Sequence, residues 1–143
     1  MKVILPFLMS VFMSFSTSSS FRVDNTLTVV ISNIKTIEGD IEIGIFQDSD
    51  DFPNEGSQMY KLRIPVTQDS IEVVFPDLSD GDYAIVLFHD INNDGLCNMN
   101  FIGYPKEPYG FSNNKRPFFR TPSFNATKFN VTGDKKIYIK LIS

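Results

Sequence analysis

The chain contains one cysteine, one histidine and no tryptophan among its 143 residues. A single cysteine excludes an intramolecular disulfide and a cysteine-rich zinc site, so a metal site would need mostly oxygen ligands. Positive charge is also scarce: 13 Lys and Arg residues face 17 Asp and Glu residues, which gives a net charge of −4. Because proteins contact phosphates through clustered basic residues, a nucleic acid is not an expected partner.

Long hydrophobic runs are absent except at the N terminus, where residues 3–15 are mostly apolar. A membrane-spanning helix needs roughly 20 apolar residues, so this run is too short. Lys2 precedes the run and a Ser/Thr-rich stretch follows it, which is the layout of a secretory signal peptide. We therefore expect a signal peptide over residues 1–20 and a single exported domain over residues 21–143, without a transmembrane segment after cleavage.

Alternation of apolar and polar residues dominates the rest of the chain, and no helix of three turns is predicted. The predicted strands cover residues 27–34, 40–47, 60–66, 70–75, 82–89, 128–132 and 136–142. Short alternating segments bounded by turn residues are typical of antiparallel sandwiches. The predicted fold is all-β: an antiparallel immunoglobulin- or prealbumin-like Greek-key sandwich of about seven to eight strands.

Residues 75–83 form the pattern F-x-x-L-x-x-G-x-Y before the fifth predicted strand. Phe75 and Leu78 are expected to fill the core. Gly81 is expected to supply an unusual backbone dihedral, and Tyr83 to bury its ring while its hydroxyl finds a backbone partner. The pattern resembles the turn that enters a core strand in prealbumin-like and carboxypeptidase-regulatory-like domains.

The segment of residues 90–123 does not fit a plain sandwich. It contains six Asn, four Pro, three Gly and six aromatic residues, with little alternation. Loops of this length are usually functional or disordered, and six aromatic rings are too much apolar surface for a disordered loop. We expect an ordered loop that caps one end of the sandwich and carries a helical turn or a short extra strand.

Residues 88–95 (FHDINNDG) and 100–114 (NFIGYPKEPYGFSNN) carry a more specific signal. Together with residues 81–83 and 122–124, they resemble the signature of a bacterial family of secreted proteins known as domain of unknown function 2141. The resemblance covers essentially the whole chain after the signal peptide. It implies a single exported β-sandwich domain and implies no reaction. With the signal peptide, it places the expected location in the periplasm, at the cell surface or in the extracellular space of a bacterium.

Oxygen-bearing side chains occupy every second position at the start of the long segment, and a glycine follows them. The predicted calcium ligands are Asp90, Asn92, Asp94, the carbonyl of Leu96 and Asn98. This spacing matches the opening of a calcium loop, where glycine lets the chain turn around the ion. The twelfth position is Phe101 instead of glutamate, so an EF-hand is excluded. A calcium loop of another kind, completed by Asn100 or Glu107, and a plain turn rich in Asn and Asp both remain open.

His89 and Asp90 are an adjacent histidine and carboxylate, and a lone histidine is a candidate general base. Neighbours on a strand point to opposite faces, so a purely structural His89 is the alternative. Asp90 and Glu107 are a candidate carboxylate pair for glycoside hydrolysis, although no pattern sets their separation. Cys97 is expected to be a small, partly buried apolar side chain. No catalytic residue is assigned from these groups.

Aromatic and amide side chains crowd the second half of the segment. The candidate ligand-binding residues are Tyr104, Glu107, Tyr109, Phe111, Asn113 and Asn114. Rings stack on sugars or peptides while amides hydrogen-bond to them; the alternative is that the rings merely plug the sandwich. We therefore expect an exported non-enzymatic binding module for an unknown small molecule, glycan or envelope protein, with Ca²⁺ as a candidate stabilising ion. A small periplasmic hydrolase or isomerase using His89, Asp90 and Glu107, and a purely structural envelope domain, remain the alternatives.

Overall fold

The alternation in the sequence becomes eight strands in the computed structural model, which describes residues 24–47 and 51–143. The strands are β1 (Asn25–Ser32), β2 (Asp40–Phe46), β3 (Tyr60–Pro65), β4 (Ile71–Leu78), β5 (Gly81–Asp90), β6 (Tyr109–Phe111), β7 (Phe129–Val131) and β8 (Lys135–Lys140). A 3₁₀ turn (Ser112–Asn114) and a short helix, α1 (Phe124–Thr127), interrupt them. The all-β class is confirmed, whereas the predicted signal peptide lies outside the described residues. Within the described part of the chain, no helix is long and apolar enough to cross a membrane.

The strands form two sheets. The smaller sheet has the order β4-β1-β8, and the larger has the order β3-β2-β5-β6, with β7 paired to the start of β5. β1 and β8 run parallel, whereas the other strand pairs are antiparallel. The prediction of a purely antiparallel sandwich is therefore wrong at β1 and β8. The chain enters β8 from β7 in the other sheet, so no hairpin sets the direction of β8. This strand order does not confirm an immunoglobulin-like Greek key.

One face of each sheet contributes to a common core. The buried residues of β1, β2, β4, β5 and β8 include Leu27, Val29, Ile31, Ile41, Ile43, Ile45, Val73, Phe75, Ile85, Leu87 and Ile139. Because successive side chains of a strand alternate between faces, the intervening residues of β2 and β5 point away from this core. The larger sheet therefore has an outer face built by Glu42, Gly44, Val86 and Phe88.

The long segment after β5 is ordered and carries both a short strand and helical turns, as predicted. In β6, Phe111 pairs with Val86 and Tyr109 with Phe88, which extends the larger sheet beyond β5. The chain must therefore leave β5 and return beside it, and this path draws residues 95–105 across the outer face of the sheet. The predicted loop is present, and part of it lies beside the outer face of the larger sheet. We call residues 95–121 the cap.

The residues of the turn before β5 pack as predicted, but the backbone conformation predicted for Gly81 is wrong. Phe75 and Leu78 are buried, and the Tyr83 hydroxyl donates a hydrogen bond to the Ser79 carbonyl at 2.7 Å. Gly81, however, does not adopt a left-handed conformation; Asp77 does, with φ of 62°. Short Asp side chains tolerate that region, so the turn closes without help from glycine. A large loss of stability is therefore not expected for Gly81→Val.

Candidate functional site

A cluster of charged side chains joins three strands on the outer face of the larger sheet. Strand register places Arg63 beside Glu42, and Asp40 beside Asp90. The Arg63 guanidinium donates to all three carboxylates, at 2.5 Å to Asp40, 3.1 Å to Glu42 and 2.9 Å to Asp90. The hydrogen bond to Asp40, and then attraction to the carboxylates, raises the pKa of Arg63 above its ordinary value. Arg63 thus holds β3, β2 and the end of β5 together.

The Asp90 carboxylate, which is 0% exposed, also closes the loop that follows β5. Its oxygens accept hydrogen bonds from the backbone N–H of Asp94 at 3.1 Å and of Gly95 at 2.8 Å. Together with the contact to Arg63, these bonds give each oxygen of this carboxylate at least one N–H partner. Asp90 therefore anchors the loop to the charged cluster.

The other predicted calcium ligands bond mainly to one another. The Asp94 carboxylate accepts from the Leu96 N–H at 2.9 Å and from the side chains of Asn98 at 2.9 Å and Asn92 at 3.0 Å. The hydrogen bond from Asn98 and then that from Leu96 lower the pKa of Asp94. Asn98 also donates to the Leu96 carbonyl at 3.3 Å. These hydrogen bonds are sufficient to close a plain turn, so we favour this alternative over the calcium loop; none of these contacts tests calcium binding.

Thermal unfolding tests the calcium prediction directly. We expect identical melting curves in EDTA and in millimolar calcium, because the side-chain oxygens of Asp90, Asn92 and Asp94 already accept N–H donors. An ion bound only to the folded state would stabilise it by about 1.4 kcal/mol at tenfold saturation, a shift of several degrees. Such a shift, removed by Asp94→Ala and not reproduced by magnesium, would contradict the expectation and establish a calcium site.

The candidate acid–base residues do not meet at a shared cavity. The His89 ring is buried on the core side of β5, and its Nε2–H donates to the Glu38 carbonyl at 2.7 Å. Glu107 is also buried and accepts from the backbone N–H of Ile91 at 3.1 Å and of Asn98 at 3.3 Å. His89, Asp90 and Glu107 are absent from the walls of the cleft described next. Their observed hydrogen bonds go to the backbone, except that Asp90 also bonds to Arg63, and the buried Nδ1 of His89 has no hydrogen-bond partner among the described residues.

A half-open cleft of about 640 Å³ lies between the outer face of the larger sheet and the cap. Its floor and walls include Glu42, Gly44, Phe46, Lys61, Val86, Phe88, Leu96, Cys97, Met99, Ile102, Tyr104, Tyr109, Phe111, Phe119 and Arg120. Most of these side chains are apolar or aromatic, and the charged ones are few. This composition is typical of sites for small ligands.

Glu42 is the buried charge of the cleft, with 5% of its surface exposed. Arg63 donates to Oε1, but Oε2 has no hydrogen-bond partner among the described residues. The Lys61 ammonium lies 3.4 Å from Oε2 without hydrogen-bonding geometry. This oxygen therefore has an ion pair but no hydrogen bond, and because a buried carboxylate oxygen gains from a hydrogen bond, it favours an incoming N–H or O–H donor.

Cys97 lines the same cleft and is partly buried. Burial, and then the negative charge of Glu107, raise the pKa of the Cys97 thiol to about 11. Because the thiolate is the reactive form, Cys97 is a poor nucleophile at neutral pH. It behaves as the small apolar wall residue that the sequence suggested.

The pH dependence of alkylation checks this assignment. We expect the rate of iodoacetamide reaction with Cys97 to rise about tenfold per pH unit up to about pH 10, because the thiolate fraction grows in that proportion. The rate should level off near pH 11, the value to which the pKa is raised, and not near the ordinary value of 9.0. Mass spectrometry measures the product, and circular dichroism verifies that the fold persists. A plateau near pH 9 would contradict the burial of the thiol.

The candidate ligand-binding residues separate into two groups. Tyr104, Tyr109 and Phe111 line the cleft, and the rings of Tyr109 and Phe111 meet edge to face with centroids 6.0 Å apart. Asn113 and Asn114 do not line it. Instead, the Asn113 side chain donates to the carbonyls of residues 127 and 128, and Asn114 bonds to the backbone of β8. Glu107 also stays outside the cleft walls.

Sequence reasoning missed Glu42, Lys61 and Cys97 as cleft residues. Glu42 lies between two apolar residues of β2, so the alternating pattern predicted only that its side chain points away from the core. One signal was available in the sequence. Lys61 and Arg63 occupy alternate positions of β3, so they point to the same face and favour a carboxylate on the neighbouring strand. The register that brings them together depends on long-range pairing.

The fold and the cleft define a class: a small β-sandwich whose larger sheet is covered by a long cap. Residues 29–139 match the family described as an uncharacterised protein conserved in bacteria (DUF2141), and the chain belongs to this family. The resemblance inferred from the sequence is thereby confirmed. No curated protein and no solved structure matches the chain.

Proposed function

We propose that the protein is an exported, non-enzymatic binding module whose ligand occupies the cleft between the larger sheet and the cap. The observation that carries the proposal is the buried Glu42 carboxylate, whose Oε2 lacks a hydrogen-bond partner in an otherwise mainly apolar cleft. A cavity of about 640 Å³ falls within the range of sites for small molecules. The signal-peptide pattern of residues 1–20 supports export to the periplasm or the cell surface.

The charges near the floor indicate the ligand's polar group. Lys61 and Arg63 are paired with four carboxylates, namely Asp40, Glu42, Glu55 and Asp90. The cluster therefore keeps an excess of negative charge, which favours a cationic N–H donor over an anion. The surrounding rings favour an apolar or sugar-like body. The best-matched ligand is a small molecule that joins an apolar portion to an amine-like group.

The chemistry of the cleft supports binding more than catalysis. A hydrolase would need a nucleophile or an acid–base pair within reach of the substrate. The Cys97 thiol is protonated at neutral pH, since its pKa is raised to about 11. His89 makes its contact on the core side of β5. The proposal therefore rests on recognition by Glu42 and the cleft walls.

Blocking the cleft at its own cysteine tests the proposal. Cys97 is the one cysteine of the chain and lines the cleft, so a bulky maleimide attached to it would occupy the cleft. We expect the apolar dye Nile red to bind the unmodified protein with a rise in fluorescence, and the modified protein to bind at least about tenfold more weakly. The matched control is Cys97→Ser combined with Val74→Cys, because Val74 is exposed on the smaller sheet.

The control carries the same label away from the cleft and should keep the dye affinity of unlabelled Cys97→Ser. Circular dichroism and melting curves of the labelled proteins verify that both remain folded. Equal dye binding with and without the label at Cys97 would contradict a ligand site in the cleft. Equal losses from the two labelled positions would contradict it as well.

A further inference from the structure

We propose that the cap is a membrane-docking surface that inserts aromatic side chains into a bilayer rich in anionic phospholipid. Phe101 is 100% exposed, Phe119 90%, Phe118 80% and Ile102 68%. Aromatic and large aliphatic side chains are the groups that enter the headgroup–acyl boundary of a bilayer. The inference does not depend on the identity of the cleft ligand.

The exposed rings of Phe118 and Phe119 point into solvent and pack on each other, not on the core. Phe118 and Phe119 contact each other edge to face, with ring centroids 4.4 Å apart. Phe119 has a φ of 63°, a left-handed conformation that bulky residues rarely adopt. Ile102 and Phe119 line the same cleft from different parts of the cap. The two apolar tips, residues 101–102 and 118–119, therefore both border this cleft.

Charge separates the cap from the rest of the protein. Residues 95–121 carry four cations against one carboxylate, which leaves +3, so the remainder of the chain carries −7 within the total of −4. The cations are Lys106, Lys115, Arg116 and Arg120. None of them forms an ion pair with a carboxylate of the described residues. A basic cap on an acidic protein is electrostatically complementary to an anionic surface and orients the molecule towards it.

The shape of the cap favours a bilayer over a protein partner. A stable protein interface needs roughly 800 Å² per partner with a well-packed apolar centre. Here the most exposed rings stand on two separate loop tips, with cations directly beside them in the chain: Arg116 and Arg120 flank Phe118 and Phe119. Loop tips of this kind enter a fluid interface while basic side chains contact lipid phosphates. An exported domain meets such surfaces on either side of the bacterial envelope.

Vesicle flotation tests the proposal. The full chain is expressed so that the host sets its N terminus, which mass spectrometry records for every variant. The probes are vesicles of phosphatidylcholine alone and vesicles with about one third phosphatidylglycerol, an anionic fraction high enough for polybasic attraction. We expect flotation with the anionic vesicles that weakens in 0.5 M salt, a concentration that shortens the Debye length to about 4 Å. Phe101→Ser combined with Phe118→Ser should lower the partition coefficient on the order of tenfold or more.

Removing basic residues of the cap should weaken vesicle binding independently of the substitutions at Phe101 and Phe118. Arg116→Gln with Arg120→Gln should lower the partition coefficient about tenfold or more, since each basic residue near an anionic surface contributes about a fivefold factor. The aromatic control is Val74→Ser with Tyr138→Ser, two exposed apolar residues of the smaller sheet. The charge control is Lys135→Gln with Lys140→Gln in β8. Both controls should leave partitioning within about twofold of the unsubstituted protein.

Either of two vesicle results would overturn the proposal. One is the absence of flotation with anionic vesicles at millimolar lipid. The other is an equal loss in the cap variants and their controls, which would assign any binding to the N terminus or to nonspecific attraction. Gel filtration of the same proteins tests the alternative that a second copy of this chain, and not a bilayer, contacts the exposed rings. A dimer that the substitutions at Phe101 and Phe118 disperse, without vesicle binding, would also overturn it in favour of a second copy of this chain.

Discussion

Gly39→Ala is expected to lower the free energy of unfolding by more than about 3 kcal/mol, or to prevent folding. A Cβ at this position would lie 2.1 Å from the Asp90 carbonyl oxygen and 2.8 Å from the Ile91 Cα. Both obstacles are backbone atoms, so no side-chain rotation relieves the clash. Gly39 also has a φ of 67°, a conformation that is strained for alanine. The turn before β2 therefore packs tightly against the end of β5, just before the loop that leads to the cap.

The matched control separates the clash from the strain. Gly103 has a φ of 80° and nothing within 4 Å of its built Cβ, so Gly103→Ala should cost only about 1 kcal/mol. Urea unfolding followed by circular dichroism measures both variants against the unsubstituted protein. A Gly39→Ala midpoint equal to that of Gly103→Ala would contradict the close approach of the two backbones.

Arg63→Gln has the second large expected effect. Its removal leaves Asp40, Glu42 and Asp90 without their shared cation, and Asp90 is 0% exposed. Removing one partner of a buried ion pair is strongly destabilising because the other charge stays buried, so the urea midpoint of Arg63→Gln should fall clearly below that of the unsubstituted protein. Lys136→Gln, which removes an exposed pair with Glu72, should leave the midpoint nearly unchanged.

A double-mutant cycle identifies the cause of the loss. Adding Asp90→Asn to Arg63→Gln removes the buried charge that the first substitution leaves unpaired, so the double variant should be less destabilised than the sum of the single variants. Additive losses would contradict a direct interaction between the two side chains. Urea unfolding again provides the free energies.

The fold was predictable where its determinants are local. Alternating segments located the main strands, because a half-buried strand must place apolar residues at every second position. An extra strand was expected in the long segment, but its position was not, because β6 has only three residues, with Gly110 at its centre, and forms by pairing with β5. The parallel pairing of β1 and β8 was also hidden, because no local pattern sets the direction of strands that are distant in sequence. Gly39 and Gly81 have the same local sequence, since each precedes an aspartate at a predicted turn. Only Gly39 is packed against the backbone of a distant segment, so the sequence could not show which glycine tolerates no side chain.

The candidate site was predictable in its composition but not in its geometry. Tyr104, Tyr109 and Phe111 were expected as ligand contacts because rings of this kind suit recognition, and they line the cleft. The neighbouring residues Asn113 and Asn114 have the same chemistry, yet their amides bond to the backbone of other elements. Glu42 joined the site only through strand register and the path of the cap. Hydrogen-bonding capacity is visible in a sequence, whereas the partner that uses it is set by tertiary structure.

Protection of Cys97 from alkylation tests the central claim most directly, since this thiol lies in the cleft. Octylammonium joins an apolar chain to N–H donors that suit the Oε2 atom of Glu42, which has no hydrogen bond, whereas octanoate has the same chain and an anionic group. We predict that octylammonium slows alkylation by iodoacetamide at concentrations on the order of tenfold lower than octanoate, and that Glu42→Gln removes most of this preference. Unchanged alkylation with both compounds up to their solubility limits, or equal protection by the two, would contradict a cleft that recognises an amine-like ligand through Glu42.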